Sequence, residues 1–266
     1  MKTTGTWIAL GCALAAAGAG GCGSSDGSHS LAADDGGALD AGQGLPLGDA
    51  ASAVDAAWPL VDGGFAVGDA GVIRADRFIT KVVSFTPGEC AGFGIPSMPG
   101  VVIGPPVGGG DDHGSTDVVS LGNAGEIIVS FEPNAIVDGP GVDLLVFENA
   151  FDIAGDPTHP YAEPGEVSVS DDGVSWKTFP CTATAYPYGA CAGWHPVYSN
   201  ATNGISPVDP SVAGGDPFDL ADVGLARAKF VRVRDKANET CGTPPNRSTS
   251  NGFDLDAMAI VHAEKM

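Results

Sequence analysis

The feature that most constrains the fold is a series of short apolar runs, separated by turn residues, that begins near residue 76. The clearest runs are residues 81–85, 127–131, 144–147, 167–170, 231–234 and 257–261. Several alternate apolar and polar side chains, as half-buried strands do. Residues 144–147 are apolar on both faces, which is typical of a central strand. The sequence therefore predicts an all-β fold, an antiparallel β-sandwich over residues 76–266.

Turn signals predict how some of these strands connect. Residues 122–125 (Gly-Asn-Ala-Gly) separate the apolar segments 118–121 and 127–131, which predicts a hairpin between those two segments. Residues 171–173 (Asp-Asp-Gly) predict a second turn, after which residues 176–179 continue as the next strand.

The N-terminus carries an export signal. An apolar stretch from Trp7 to Ala19 has the length of a signal-peptide core and is shorter than the ~20 residues of a membrane-spanning helix. We interpret residues 1–21 as a signal peptide. The small residues before Cys22 resemble the lipobox of bacterial lipoproteins, and the resemblance implies cleavage before Cys22 and a lipid anchor on its thiol.

The residue after that cysteine, Gly23, is not the Asp that retains enterobacterial lipoproteins in the inner membrane. This favours the outer membrane or the cell surface, with a periplasmic or secreted protein as the alternative. Residues 22–75 are dominated by Ala, Gly, Asp and Ser and lack hydrophobic periodicity. Such a composition predicts a flexible linker that holds the domain away from the membrane.

The chain is strongly acidic, with 33 Asp and Glu residues, 12 Lys and Arg residues and a net charge of −21. Between Lys81 and Arg227 the only Lys or Arg is Lys177. This charge repels phosphate backbones, so nucleic acid is not an expected partner. The acids either form a solvated surface or collect cations, and the short Asp side chain suits calcium loops.

Four cysteines lie in the predicted domain, and export places them in an oxidising compartment where disulfides form. Cys181 and Cys191 bracket a turn-rich loop that one bridge can close, which leaves Cys90 to pair with Cys241. Four cysteines allow three connectivities, so the pairing stays open at this point.

Three carboxylates are candidate metal ligands. Period-two spacing places Asp254 and Asp256 on one face at the start of the last strand, and Glu148 ends an apolar strand. Carboxylates on apolar surfaces need a cation or hydrogen-bond donors, so the sequence predicts a calcium ion held by these three residues. The alternatives are ion pairs with Arg232 and Arg234, or loop positions in which the acids accept from backbone N–H groups.

The aromatic residues Tyr186, Tyr188 and Trp194 crowd around the loop between Cys181 and Cys191. Exposed aromatic rings beside polar groups suit a saccharide, because the ring stacks on the C–H faces of the sugar. These three side chains are therefore candidate ligand-binding residues. Ordinary packing under a long loop is the alternative.

Two sequence patterns carry a family resemblance. Residues 167–176 (Val-Ser-Val-Ser-Asp-Asp-Gly-Val-Ser-Trp) and 229–234 (Lys-Phe-Val-Arg-Val-Arg) are similar to the discoidin-type, galactose-binding-like jelly roll. A larger pattern resembles bacterial cell-surface lipoproteins of unassigned function, and it comprises residues 118–122, 139–143, 146–149, 218–220 and 252–256. The resemblance implies a jelly roll used for surface binding, often with a structural calcium ion.

These observations predict a non-enzymatic surface module for binding or adhesion, with a saccharide or a surface protein as its ligand. One alternative is an extracellular glycan hydrolase that uses paired carboxylates such as Glu163 and Glu166. The other is a purely structural envelope protein. No pattern in the sequence indicates an oligomeric state.

The predicted anchor can be tested by metabolic labelling with a fatty-acid analogue. The wild-type protein should be labelled and the Cys22→Ser variant should not, because the variant lacks the thiol that carries the lipid. Equal labelling of both proteins would show that Cys22 is not the attachment site.

Overall fold

The computed structural model describes residues 60–61, 64–67 and 71–266. The predicted signal peptide, Cys22 and residues 22–59 of the predicted linker lie outside the described residues. In the described part of the chain the regular structure consists of β-strands and short 3₁₀ helices, and the paired strands are antiparallel, so the all-β prediction is confirmed. No helix in this part of the chain is long and apolar enough to cross a membrane.

The strands are β1 (Leu60–Val61), β2 (Gly64–Val67), β3 (Gly71–Arg74), β4 (Lys81–Thr86), β5 (Val119–Ser120), β6 (Glu126–Ser130), β7 (Asn134–Val137), β8 (Leu144–Phe147), β9 (Phe151–Asp152), β10 (Pro160–Tyr161), β11 (Gly165–Ser170), β12 (Lys177–Thr178), β13 (Asp216–Phe218), β14 (Arg227–Ala228), β15 (Phe230–Asp235), β16 (Asp254–Leu255), β17 (Ala257–Ile260) and β18 (Ala263–Lys265). The 3₁₀ helices are Ala75–Arg77, Ile95–Ser97, Gly100–Val102, Ile153–Gly155 and Leu220–Val223.

The largest sheet has five strands in the order β12-β11-β15-β6-β4. The alternation predicted from the sequence sets its two faces: Val231 and Val233 of β15 are fully buried, whereas Arg232 and Arg234 lie on the other face. The buried face packs into the main hydrophobic core, and each fully buried aliphatic side chain contributes about 1.5–3 kcal/mol.

Strand β8 is the central strand of a second sheet, with the order β13-β8-β17. Its alternate residues enter two different apolar clusters: Leu144 and Val146 belong to the main core, and Leu145 and Phe147 pack with Phe78 and its neighbours on the opposite side. All four residues are buried. The prediction of a central strand at residues 144–147 is thus confirmed.

The end of the predicted linker is structured where the structure describes it. Strands β1, β2 and β3 form a three-stranded sheet, and the ring of Phe65 lies 5.6 Å from that of Phe78. Phe65 thereby packs against the second apolar cluster.

One of the two turn predictions is confirmed. After the turn at residues 171–173, β12 pairs with β11, and Ser168 lies opposite Thr178. The hairpin predicted between residues 118–121 and 127–131 is wrong, because β5 pairs with β16 and β6 pairs with β4 and β15.

The chain that follows β4 explains why that hairpin does not form. The backbone N–H of Gly88 donates to the carbonyl of Leu121 at 2.7 Å, and Glu89 bridges to Asn123. These bonds use polar backbone groups that a local hairpin would need, so the two arms separate into different sheets.

Two disulfides are present in the described residues, Cys181–Cys191 and Cys90–Cys241, with Cα–Cα distances of 4.5 and 5.7 Å. The pairing favoured by the sequence is therefore confirmed. The first closes a short loop, and the second joins residues 151 positions apart.

The two bridges should differ in their contribution to stability. Chain entropy predicts a loss of about 5 kcal/mol when Cys90 and Cys241 are both changed to Ser, and about 3 kcal/mol for Cys181 and Cys191, because the longer loop restricts the unfolded chain more. Urea denaturation of the two double variants measures this. Equal losses would show that loop length does not decide the effect.

Candidate functional site

Three buried carboxylates meet at one end of the sheet that contains β8. Glu148 directly follows β8, Asp254 begins β16, and Glu163 lies between β10 and β11. One oxygen atom of each lies within 4.8 Å of the others. We call Glu148, Glu163 and Asp254 the acidic cluster.

The strand register explains why two of these residues meet. Strand β17 is antiparallel to β8, and Ala257 lies opposite Phe147. The residues just before Ala257 must therefore run beside the residue just after Phe147, which is Glu148. The backbone N–H of Asp254 lies 3.3 Å from Glu148 Oε1 and donates to it.

The acidic cluster has almost no access to solvent. Glu148 is 1% exposed, Glu163 is 3% exposed and Asp254 is 6% exposed. Among the ion pairs of the described residues, none joins these acids to Lys, Arg or His. The cluster therefore lacks the positive partner that buried carboxylates normally have.

Several oxygen atoms at this place have no hydrogen-bond partner. They are Glu148 Oε2, Glu163 Oε1, Asp254 Oδ1 and Asn149 Oδ1. Asn149 donates its amide Nδ2 to Asp254 Oδ2 at 3.1 Å, and Ser120 lies opposite Asp254 in the pairing of β5 with β16. Asn149 thus adjoins the cluster with its amide oxygen unpaired, and the Ser120 hydroxyl adjoins Asp254, whose pKa it lowers.

Burial raises the pKa of each member of the acidic cluster. The pKa of Glu148 lies well above its ordinary value because of desolvation, with the charges of Asp254 and Glu163 adding to the effect. Desolvation and the charge of Asp254 raise the pKa of Glu163 to about 9, and desolvation raises that of Asp254 to about 6. Without a cation, the three carboxyls cannot all be ionised at neutral pH.

Asp256, the third predicted ligand, is not part of the acidic cluster. Its Oδ2 accepts from the N–H of Val107 at 2.8 Å, and its own N–H donates to Phe147 O at 3.0 Å. The chain changes partner strand between β16 and β17, from β5 to β8. A period-two argument holds only within one strand, so it does not carry from Asp254 to Asp256.

The predicted alternative partners, Arg232 and Arg234, are occupied elsewhere. Both form ion pairs with Glu126, at 3.9 and 2.7 Å. The guanidinium of Arg232 also lies 4.5 Å from the centre of the Trp176 ring. These arginines cover the outer face of the five-stranded sheet and do not neutralise the acidic cluster.

The structure does bring the predicted aromatic residues together. The rings of Tyr186 and Tyr188 lie 5.8 and 6.1 Å from that of Trp194, and we call these three residues the aromatic cluster. The indole N–H of Trp194 donates to Cys191 O at 3.0 Å, which ties the ring to the disulfide loop. Tyr186 is exposed, and the other two rings are partly exposed.

An open groove of about 540 Å³ lies beside the aromatic cluster. Its polar lining is formed by Thr182, Thr184, Tyr188, Lys236, Asn238 and Glu239. Ala162 and Pro164 line the same groove, and Glu163 of the acidic cluster stands between them in the chain. The connection between β10 and β11 therefore takes part in both sites.

Two His–Asp pairs were not found from the sequence, since neither histidine is near its partner in the chain. Asp216 Oδ1 lies 2.7 Å from His195 Nδ1, and Asp216 Oδ2 accepts from Gly193 N at 2.6 Å. Asp143 lies 2.8 Å from His262 Nδ1 and accepts from two backbone N–H groups. In both of these buried acids each carboxylate oxygen has a hydrogen-bond partner, whereas each acid of the acidic cluster keeps one oxygen without a partner.

No model of a known protein family matches the chain, and no curated protein is significantly similar to it. Its function is therefore inferred from the geometry of the acidic cluster, the aromatic cluster and the groove.

The buried carboxyl of Asp256 should make the stability of the domain depend on pH. Desolvation raises its pKa well above the ordinary value, and the charge of Asp117 adds to this, so the folded chain holds a proton that the unfolded chain releases. Its contribution to stability is then lost as the pH rises from the unfolded pKa of about 3.9 toward the folded pKa.

Asp256→Asn should remove this loss while keeping an oxygen that accepts from Val107. By urea denaturation we expect the variant to be about 1–3 kcal/mol more stable than the wild type at pH 7. The difference should shrink near pH 4, where the unfolded carboxyl is also protonated. A difference that does not change with pH would contradict this interpretation.

Proposed function

We propose that the protein is an exported surface module, lipid-anchored at Cys22, whose β domain binds a saccharide ligand without catalysing a reaction. The groove beside the aromatic cluster carries the proposal. It combines the partly exposed ring of Tyr188, which packs near Trp194, with hydroxyl, amide and charged groups, and sugars are bound by such combinations. In this proposal the domain has the galactose-binding-like jelly-roll arrangement, and a protein ligand is the second candidate.

The chemistry of the groove favours a sugar. The ring of Tyr188 offers a face for the C–H groups of a pyranose, while Thr182, Thr184 and Asn238 offer groups that donate to and accept from its hydroxyls. Lys236 is already 3.6 Å from Glu166, so its charge is partly neutralised before any ligand binds. This favours a neutral or weakly charged ligand.

The wall of the groove is held in place before binding. The Cys181–Cys191 bridge closes the loop that carries Tyr186 and Tyr188. Asp216 fixes the following turn by accepting from the backbone of Gly193. Preorganised side chains lose less entropy on binding, which is an advantage for a binding module.

The hydrolase alternative is less well supported by the positions of its candidate residues. Glu163 is buried in the acidic cluster. Glu166, on β11, forms an ion pair with Lys236, which directly follows β15. Glycoside hydrolysis requires two carboxyl groups that flank the same sugar, about 5–10 Å apart. A buried Glu163 does not offer its carboxyl to a sugar in the groove.

The proposed location is the outer membrane or the cell surface. The two disulfides fit an oxidising compartment. The linker behind Cys22 would hold the groove away from the membrane, where extracellular glycans are within reach.

A glycan array tests the proposal. The mature chain carrying Cys22→Ser should bind at least one glycan, and Tyr188→Ala should weaken that binding by about tenfold or more, because the ring stacks on the sugar. Tyr198→Ala is a matched control, since Tyr198 is an exposed tyrosine that does not line the groove. If no glycan binds, the structural envelope protein becomes the better explanation.

A further inference from the structure

We propose that the acidic cluster, together with Asn149 Oδ1 and Ser120 Oγ, forms a buried site for one calcium ion. This site is different from the three-residue set expected from the sequence, because it contains Glu163 and two neutral oxygens and does not contain Asp256. The proposal goes beyond the saccharide-binding function and does not depend on it.

The first argument is the contrast with other buried acids of the same fold. Asp143 and Asp216 each accept from two backbone N–H groups and lie within hydrogen-bond distance of a histidine nitrogen. Asp235 accepts from the N–H groups of Phe253 and Ala124. The fold therefore satisfies single buried carboxylates with protein donors, whereas each acid of the cluster keeps an unpaired oxygen.

The second argument comes from neutral groups. The amide oxygen of Asn149 is buried beside Asp254 without a hydrogen-bond partner, and the fully buried hydroxyl of Ser120 stands opposite Asp254, whose pKa it lowers. A buried hydroxyl or amide oxygen without a partner costs about 1–3 kcal/mol, and such atoms are rare in native interiors. Carboxylate and amide oxygens without a donor, with a hydroxyl oxygen beside them, are the ligands that a calcium site provides.

The third argument is the field around the site. The negative charge of Asp216 raises the pKa of Glu148. The negative charges of Glu239 and Asp235 raise the pKa values of both Glu163 and Asp254. A cation at this point is attracted by all of these acids. It also lets the three cluster carboxyls ionise together, because it replaces their mutual repulsion with attraction.

The donor set selects calcium among common metal ions. Oxygens within 4.8 Å of one another can be bridged by one ion that binds each of them at ~2.3–2.6 Å, as calcium does. Zinc prefers nitrogen and sulfur, but the cysteines are in disulfides, and no histidine belongs to this group among the described residues. Magnesium prefers to keep several of its waters, which a closed interior does not offer.

The ion would connect four separate parts of the chain. Its ligands come from β5, from the residues after β8, from the β10–β11 connection and from β16. Glu163 lies between Ala162 and Pro164, which line the groove. Calcium would therefore also fix one wall of the proposed ligand site.

The test uses the full mature chain with Cys22→Ser, freed of metal by a chelator. Calcium at 100 times its dissociation constant should increase the folding equilibrium constant about 100-fold, which raises Tm by roughly 5–10 °C. Magnesium at the same concentration should raise Tm much less. Elemental analysis after buffer exchange should find about one calcium ion per chain.

Matched variants separate this site from other buried acids. Glu163→Gln keeps the side-chain shape and should abolish the calcium-dependent shift in Tm, whereas Asp256→Asn should retain it. Ser120→Ala removes only a small neutral hydroxyl opposite Asp254, so the variant should still fold. It should bind calcium several-fold more weakly by calorimetry.

Superimposable melts with calcium and with chelator, and no calcium by elemental analysis, would overturn the proposal. So would a shift that persists in Glu163→Gln, or one that is lost equally in Asp256→Asn. An intact calcium shift without glycan binding would reject only the proposed function, and glycan binding without a calcium shift would reject only the metal site.

Discussion

The burial of β8 on both faces is the constraint on which the site depends. Strand β8 lies between β13 and β17, and apolar clusters cover both of its faces. The residue that comes next is still in the interior, although it is the polar Glu148. Because β17 runs antiparallel to β8, the same register brings Asp254 to that point from the other direction.

The buried acids of this fold therefore divide into two groups with different physical roles. Asp143, Asp216 and Asp235 hold loops in place by accepting from backbone N–H groups, and they need no ion. The acidic cluster has more negative charge than the surrounding donors can compensate. None of the ion pairs in the described part of the chain brings a Lys, Arg or His side chain to this cluster, so the protein's own cations do not pair with its carboxyls.

Local sequence patterns predicted much of this structure, but they could not predict which distant strands pair with each other. Strands β11 and β15 could be predicted because the alternation of apolar and polar residues is a local pattern. Glu148 could be identified as a candidate site residue because it directly follows an apolar run. Glu163 had no such signal as a ligand, since it lies in a connection beside Pro164, although it was considered as a catalytic residue. The change of partner strand between β16 and β17, from β5 to β8, likewise cannot be predicted from the spacing of residues in the sequence.

The long-range disulfide has a consequence for proteolytic cleavage of the domain. Cys90 and Cys241 are separated by 151 positions, and most exposed loops of the domain lie between them. Proteases cut preferentially at exposed loop tips. After a single cut in that interval, the two fragments remain covalently joined through the disulfide and still share one core, so nicked molecules can keep their shape.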